Sequence, residues 1–151
     1  MRLYRLCRSA HRALDGEGAR LYGGRWNSPG HGLIYTSRTL SLAALEYLVH
    51  LDPAFAPADL VAMTLELPDF AVAPLDPTRL PTNWRSLPAP PQCAALGDSW
   101  LAGNHSLALA VPSAIVPVEW NVLLDPRHAE FGNVRLMGEE PFQFDRRLLT
   151  K

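Results

Sequence analysis

Seven prolines fall between Pro68 and Pro91, and they restrict the folding of this 151-residue chain more than any other feature. Proline fixes φ and has no backbone N–H, so prolines this closely spaced exclude a long helix or a central strand. We therefore expect residues 68–91 to form a loop laid over the surface of the domain. Regular structure must come from the sequence on either side.

Apolar patterns predict that regular structure. The segment Leu60–Leu67 alternates, with Val61, Met63 and Leu65 on one face, and is the clearest strand. Further strands are predicted at Arg2–Cys7, Gly32–Ser37, Ser106–Ser113, Glu119–Pro126 and Asn133–Asp145, and helices at Ser41–Leu51 and Pro91–Ala102. Ser9–Ala19 is too polar and glycine-broken to assign. Strands and helices without regular βαβ alternation predict an α+β fold with mixed or antiparallel sheets and a few helices.

Composition predicts one globular domain over residues 1–151. The chain is 48% hydrophobic and 19% charged, and 14 basic residues face 15 acidic ones, which leaves no electrostatic basis for binding nucleic acid or an anionic membrane. No secretory signal or apolar run of ~20 residues is evident, so we expect a soluble, cytoplasmic protein. The two cysteines fit that compartment as reduced thiols.

One carboxylate stands out in the first predicted helix. Glu46 carries the only formal charge between Thr39 and Leu51, and its neighbours three and four positions away are mostly apolar. Burying an unpaired carboxylate costs several kcal/mol, so Glu46 needs a partner or must face a cleft. It is either a structural ion pair or exposed residue, or a functional carboxylate.

A glycine-rich loop offers a cation upstream of this helix. Arg25 follows Gly23-Gly24, and backbone amides and a guanidinium in such a loop can converge on one anion, such as phosphate. Arg5 on the first strand could reach the same place, and Tyr35 and Trp26 could offer flat faces to a heterocycle. In the alternative interpretation the loop is only a turn, Arg25 is a surface residue and the aromatic residues belong to the core.

Two polar residues near the predicted C-terminal strands complete the candidates. Ser113 follows a strand, where it could present its hydroxyl or simply cap a turn, and Asn121 lies within a strand, where it could be a structural hydrogen bonder. The histidines are scattered and no metal-binding spacing occurs, so no metal is predicted. Phosphate-loop, dinucleotide-binding and serine-hydrolase motifs do not occur in the sequence either.

Several motifs in order carry a resemblance over Tyr4–Leu148: YRL at 4–6, GGRWN at 23–27, GLIYTS at 32–37, ALEYL at 44–48, VPSAIVPVEWNVLLDPRH at 111–128 and FDRRL at 144–148. Together they resemble the RES domain. That family is named for its arginine, glutamate and serine, and supplies the toxins of bacterial RES-Xre toxin–antitoxin modules. In this sequence those three residues fall on Arg25, Glu46 and Ser113.

The resemblance implies an ADP-ribosyltransferase-like fold, NAD as substrate, no metal, and an antitoxin partner with an Xre-type helix-turn-helix. Known members degrade NAD, some with phosphate as acceptor, and at least some ADP-ribosylate a protein of nucleotide metabolism. The leading expectation is thus a growth-inhibiting toxin that cleaves the nicotinamide–ribose bond, as an NAD phosphorylase or glycohydrolase. The alternatives are a mono-ADP-ribosyltransferase that modifies a host protein and a non-catalytic antitoxin-binding module.

The resemblance also implies roles for single residues. Glu46, Arg25 and Tyr35 are expected to be catalytic, with Glu46 stabilising positive charge that develops on the ribose. Arg5 and Arg25 would hold the pyrophosphate, and Tyr35 would stack on nicotinamide. Ser113 would bond the carboxamide or a ribose hydroxyl, and Asn121 is a further NAD-binding candidate. Glu46 and Arg25 would then be linked mainly through the substrate between them.

Overall fold

The computed structural model describes residues 1–150, and these contain seven strands and three α-helices. Lys151, the last residue of the predicted domain, lies outside the described residues. The strands are β1 Arg2–Arg8, β2 Ile34–Ser37, β3 Leu60–Glu66, β4 Val72–Pro74, β5 Ala108–Pro112, β6 Trp120–Leu124 and β7 Arg135–Phe142. The helices are α1 Glu17–Tyr22, α2 Leu40–Leu48 and α3 Pro91–Gly103. The predicted α+β class is confirmed.

All seven strands form one sheet in the order β4-β5-β6-β2-β1-β3-β7. Only β4 and β5 pair in parallel, and the other neighbours are antiparallel, so the sheet is mixed as expected. In the centre of the sheet, Tyr35 lies opposite Leu123 and Ser37 lies opposite Asn121. This register brings polar side chains from β2 and β6 next to each other.

Helices α2 and α3 pack in two separate apolar clusters on the sheet. Helix α2 packs on β1 and β2, where Leu6, Ala43, Leu60 and Ala62 are buried together. A second buried cluster joins α3 to the sheet and to the glycine-rich loop, and it contains Trp26, Leu33, Leu75, Cys93, Leu101, Leu109, Val111 and Leu123. Because burial of one large apolar side chain is worth about 1.5–3 kcal/mol, these clusters fix both helices on the sheet.

Helix α2 begins where a cap is available. The Thr39 side chain accepts a hydrogen bond from the backbone N–H of Leu42 at 3.1 Å, which satisfies one of the free donors at the helix start. The helix ends at Leu48, three residues before the predicted end at Leu51. Glu46 therefore lies in its last turn.

Two short elements differ from the sequence-based expectations. Within the proline-rich segment, Val72–Pro74 forms the short strand β4. It is held by parallel backbone pairing with β5. Proline is tolerated there because β4 is an edge strand. Helix α1 lies partly in the stretch Ser9–Ala19, for which the sequence predicts no element, and it follows Gly16, whose φ of +70° favours glycine. No long regular structure occurs between Pro68 and Pro91, as predicted.

Candidate functional site

Two uncharged donors hold the carboxylate of Glu46. The Ser113 hydroxyl donates to Glu46 Oε1 at 2.8 Å, and the Asn121 side-chain amide donates to the same oxygen at 2.5 Å. Among residues 1–150, Glu46 forms no ion pair and its second oxygen, Oε2, has no hydrogen-bond partner. The structural ion pair considered from the sequence is therefore not found among the described residues.

Backbone geometry explains why Ser113 reaches Glu46. Ser113 follows β5, is fully buried, and accepts hydrogen bonds from the backbone N–H groups of Ile115 and Val116, both at 3.1 Å. The serine thus caps the turn after the strand, as one of its two interpretations proposed, and it also donates to Glu46. One hydroxyl can do both because it has one donor and two acceptor sites, and all three are used within the protein.

A cleft of ≈ 400 Å³ opens beside this cluster. Four of the predicted site residues line it, namely Arg5, Tyr35, Glu46 and Asn121. It is also lined by Tyr4, Ser37, Tyr47 and His50, which the sequence-based reasoning did not select as site residues. Two of these had a usable signal: Ser37 is two residues from Tyr35 on one strand, and His50 is one helical turn from Glu46.

Arg5 has a second role besides lining the cleft. Its guanidinium donates to the backbone carbonyl oxygens of Ala13 at 2.9 Å and His11 at 3.0 Å. These bonds tie the segment that follows β1 to the rim of the cleft. A guanidinium has five N–H donors, so the remaining ones are available to an anion.

Arg25 lies apart from the residues that line this cleft. Its Nη1 donates to the backbone carbonyl oxygens of Trp84 and, at 3.2 Å, of Ser86, both in the proline-rich segment. The loop that carries Arg25 is tightened by Gly23, whose φ is +69°, and by backbone hydrogen bonds between Gly24 and Asn27. Arg25 is thus a positioned, half-buried cation.

Tyr35 connects the loop to the cleft. Its hydroxyl donates to Asn27 Oδ1 at 2.8 Å and accepts from the backbone N–H of Trp26 at 3.1 Å. Burial raises the pKa of the Tyr35 phenol well above its usual range, although the Trp26 N–H acts in the opposite direction, so the hydroxyl stays protonated. Trp26 itself is almost fully buried and packs against Trp84, and therefore belongs to the core.

Neither cysteine is placed for nucleophilic chemistry. Cys7 and Cys93 are free and buried, and burial raises the pKa of both thiols, which is unfavourable for thiolate chemistry.

Within residues 1–150, no cluster of three or more histidine, cysteine, aspartate or glutamate side chains could hold a metal ion. Over the same residues, no helix has the length and apolar character that a membrane span requires.

Comparison with solved structures identifies the class of fold. The chain superposes on a protein in the crystal structure of the M. tuberculosis MbcT-MbcA toxin–antitoxin complex with a TM-score of 0.77, over 98% of this chain and 86% of that one. Sequence identity is 22%, so this likeness shows a shared fold. The two proteins therefore share the mixed α+β fold that was expected from the sequence.

Sequence relatives identify the family. Residues 2–145 match the RES domain. A protein named Toxin Res from Yersinia enterocolitica is 43% identical, with 98% of this chain and 99% of that protein covered. A protein named Prs ADP-ribosylating toxin from Sphingobium sp. strain YBL2 is 33% identical, with 91% and 88% covered. The chain belongs to the RES domain family of toxins.

Proposed function

We propose that this protein is a toxin that depletes NAD by cleaving the bond between nicotinamide and ribose, with phosphate or water as acceptor. The observation that carries the proposal is the state of Glu46: two uncharged donors fix one carboxylate oxygen, and the other is left without a partner at the side of a cleft. The name of the Sphingobium relative supports the same chemistry, since ADP-ribosylation begins with cleavage of this bond in NAD.

The charge of Glu46 suits this reaction. Nicotinamide leaves as a neutral molecule from a cationic pyridinium, and positive charge develops on the ribose as it departs. A carboxylate about 4 Å from that charge contributes about 4 kcal/mol at an effective dielectric constant of 20, which corresponds to roughly a thousandfold in rate. An arginine partner would cancel most of this effect, whereas Ser113 and Asn121 orient the carboxylate without neutralising it.

The other residues divide into those that bind and those that position. Arg5 and Tyr35 line the cleft with Glu46, so we assign them to the pyrophosphate and to the nicotinamide ring respectively. Arg25 does not line the cleft, but the loop that carries it is hydrogen-bonded to Tyr35. We therefore assign Arg25 to the more distant part of the dinucleotide. Ser113 is fully buried and its hydroxyl donates a hydrogen bond to Glu46, so in this proposal it acts through Glu46.

The acceptor separates this proposal from its alternative. Transfer to phosphate releases nicotinamide and ADP-ribose phosphate, and transfer to water releases nicotinamide, ADP-ribose and a proton. A mono-ADP-ribosyltransferase would use the same cleft with a protein nucleophile, and the name of the Sphingobium relative favours that second candidate. We also propose an antitoxin partner, because the solved neighbour was determined in a toxin–antitoxin complex; an Xre-type helix-turn-helix in that partner stays a prediction.

Proton NMR of NAD tests the proposal directly. Purified protein is incubated with NAD with and without inorganic phosphate, beside the Glu46→Gln variant. Nicotinamide release by the unmodified protein only, faster with phosphate, is the expected result. No release by a folded protein, together with label from NAD on a discrete band in cell lysate, would support the protein-directed transferase. If neither occurred, a non-catalytic antitoxin-binding module would remain.

A further inference from the structure

Ser37 lies behind the residues that hold Glu46. It is the last residue of β2, is 3% exposed, and lies directly opposite Asn121 of β6. Its hydroxyl donates to Asn121 Oδ1 at 2.6 Å, while Asn121 Nδ2 donates to Glu46 Oε1. A single chain of hydrogen bonds therefore runs from Ser37 through the amide to the carboxylate.

We propose that Ser37 is a positioning residue of this site, which fixes the plane of the Asn121 amide and through it the carboxylate of Glu46. The inference rests on the proposed function and adds a residue to its machinery. Hydrogen bonds in a chain polarise one another, so donation by Ser37 to the amide oxygen strengthens the amide N–H as a donor to Glu46. Without Ser37, the amide oxygen loses its partner and the amide plane is free to turn away from Glu46.

Orientation matters here because only one carboxylate oxygen is held. A glutamate side chain has three rotatable bonds, and the donors from Ser113 and Asn121 meet on Oε1, so Oε2 is aimed by the same two contacts. Loss of one contact allows Glu46 to rotate and lowers the fraction of molecules with Oε2 directed at the ribose. The effect should fall on turnover, since substrate binding involves other residues of the cleft.

The inference is tested by measuring nicotinamide release by four variants: Ser37→Ala, Ser37→Thr, Asn121→Ala and the double variant Ser37→Ala/Asn121→Ala. We expect Ser37→Ala to lower kcat about tenfold with KM within about twofold, and Ser37→Thr, which keeps a hydroxyl, to recover most of it. The double variant should be no slower than Asn121→Ala, because Ser37 acts through that amide. Ser106→Ala is the matched control, since Ser106 also links an N–H donor, that of Trp100, to an acceptor, the Ala108 carbonyl, and does not line the cleft.

A readout that does not depend on turnover separates this inference from the proposed function. The side-chain NH₂ signals of Asn121 can be assigned in ¹⁵N-labelled protein by their loss in Asn121→Ala. Ser37→Ala should shift or broaden them, and Ser37→Thr should restore them, even if the protein does not cleave NAD. Unchanged Asn121 signals in Ser37→Ala, or losses of turnover that add in the double variant, would overturn the inference.

Discussion

Glu46 and Ser113 are 67 residues apart in sequence and are joined by a 2.8 Å hydrogen bond from the serine hydroxyl to a carboxylate oxygen. Glu46 and Ser113, which the sequence resemblance assigns to the glutamate and serine of the family's name, therefore form one hydrogen-bonded unit in this chain. The same hydroxyl accepts hydrogen bonds from two backbone N–H groups, so the position of Glu46 is coupled to the turn after β5.

Glu46→Gln should lower the kcat of nicotinamide release by about 10²–10³-fold with little change in KM, because charge is lost while shape is kept. Glutamine still offers an oxygen to Ser113 and Asn121, so the thermal melt should stay cooperative and close to that of the unmodified protein. Steady-state kinetics and a melting curve measure both effects. Glu130→Gln, at an exposed carboxylate, is the control and should change neither. A collapse of the melt in Glu46→Gln would instead point to a structural role.

Ser113→Ala should affect both stability and turnover. It removes one donor from Glu46 and leaves the N–H groups of Ile115 and Val116 without their acceptor, which should lower the free energy of unfolding by about 1–3 kcal/mol. Urea denaturation gives the stability change and nicotinamide release gives the turnover. Ser99→Ala, on the exposed side of α3, should stay within about 0.5 kcal/mol. Equal behaviour of the two variants would contradict the role assigned to Ser113.

Gly24→Ala should disturb Tyr35. A Cβ at this position would overlap the Tyr35 hydroxyl and approach Asn27 Oδ1 to 3.2 Å, so either the ring or the loop has to move. We expect a loss of about 1–3 kcal/mol in unfolding free energy and reduced NAD cleavage. Gly18→Ala is the matched control, because nothing lies within 4 Å of its added Cβ, and in α1 it should be neutral or stabilising by up to about 1 kcal/mol. Similar melts for both variants would show that the Tyr35 contact is unimportant.

Gly97→Ala should loosen α3 from the glycine-rich loop. An added Cβ would overlap the backbone carbonyl of Trp26, and a backbone group cannot rotate away as a side chain can. The expected loss in unfolding free energy is at least about 2 kcal/mol by denaturation. At Gly103, the added Cβ would meet only the His105 side chain, so Gly103→Ala should be much milder. A tolerated Gly97→Ala would mean that the helix and loop can separate without loss.

Alkaline pH should destabilise the protein through Tyr35. Burial raises the pKa of this phenol in the folded state above its unfolded value of 10.0, so the unfolded chain ionises first. The stability that Tyr35 contributes is therefore fully present below about pH 10 and is lost as the pH rises above that value. Tyr35→Phe should flatten the fall in unfolding free energy between about pH 9 and 11. Parallel pH profiles for the two proteins would contradict this assignment.

Local patterns predicted the fold well where elements were long or strongly periodic. The strand Leu60–Glu66 and the helix α3 were found because alternation, proline at the start and glycine at the end are properties of a few neighbouring residues. The elements α1 and β4 were missed for the opposite reason. Helix α1 buries no residue and has six residues, and β4 has three and depends on β5, which lies more than thirty positions away.

Sequence also selected four of the side chains that line the cleft, but not their hydrogen-bond partners. Arg5, Tyr35, Glu46 and Asn121 come from four different elements and line one cavity, while their roles in catalysis stay predictions. A structural ion pair was one of the interpretations of Glu46 that the sequence left open. The observed donors are uncharged and lie 67 and 75 positions away, and no local pattern encodes contacts of that separation.

The attachment of Arg25 has a consequence for variation in the proline-rich segment. The oxygens that receive its guanidinium belong to the backbone of Trp84 and Ser86, and every amino acid supplies such an oxygen. Exchanging the exposed Ser86 side chain should thus preserve the contact with Arg25 so long as the path of the chain is kept. Trp84 is different, because its ring also packs against Trp26. Inserting or deleting a residue nearby would move these carbonyl oxygens away from the guanidinium. The contact of Arg25 with this segment therefore depends on the path of the backbone and not on hydrogen bonds from side chains of the segment.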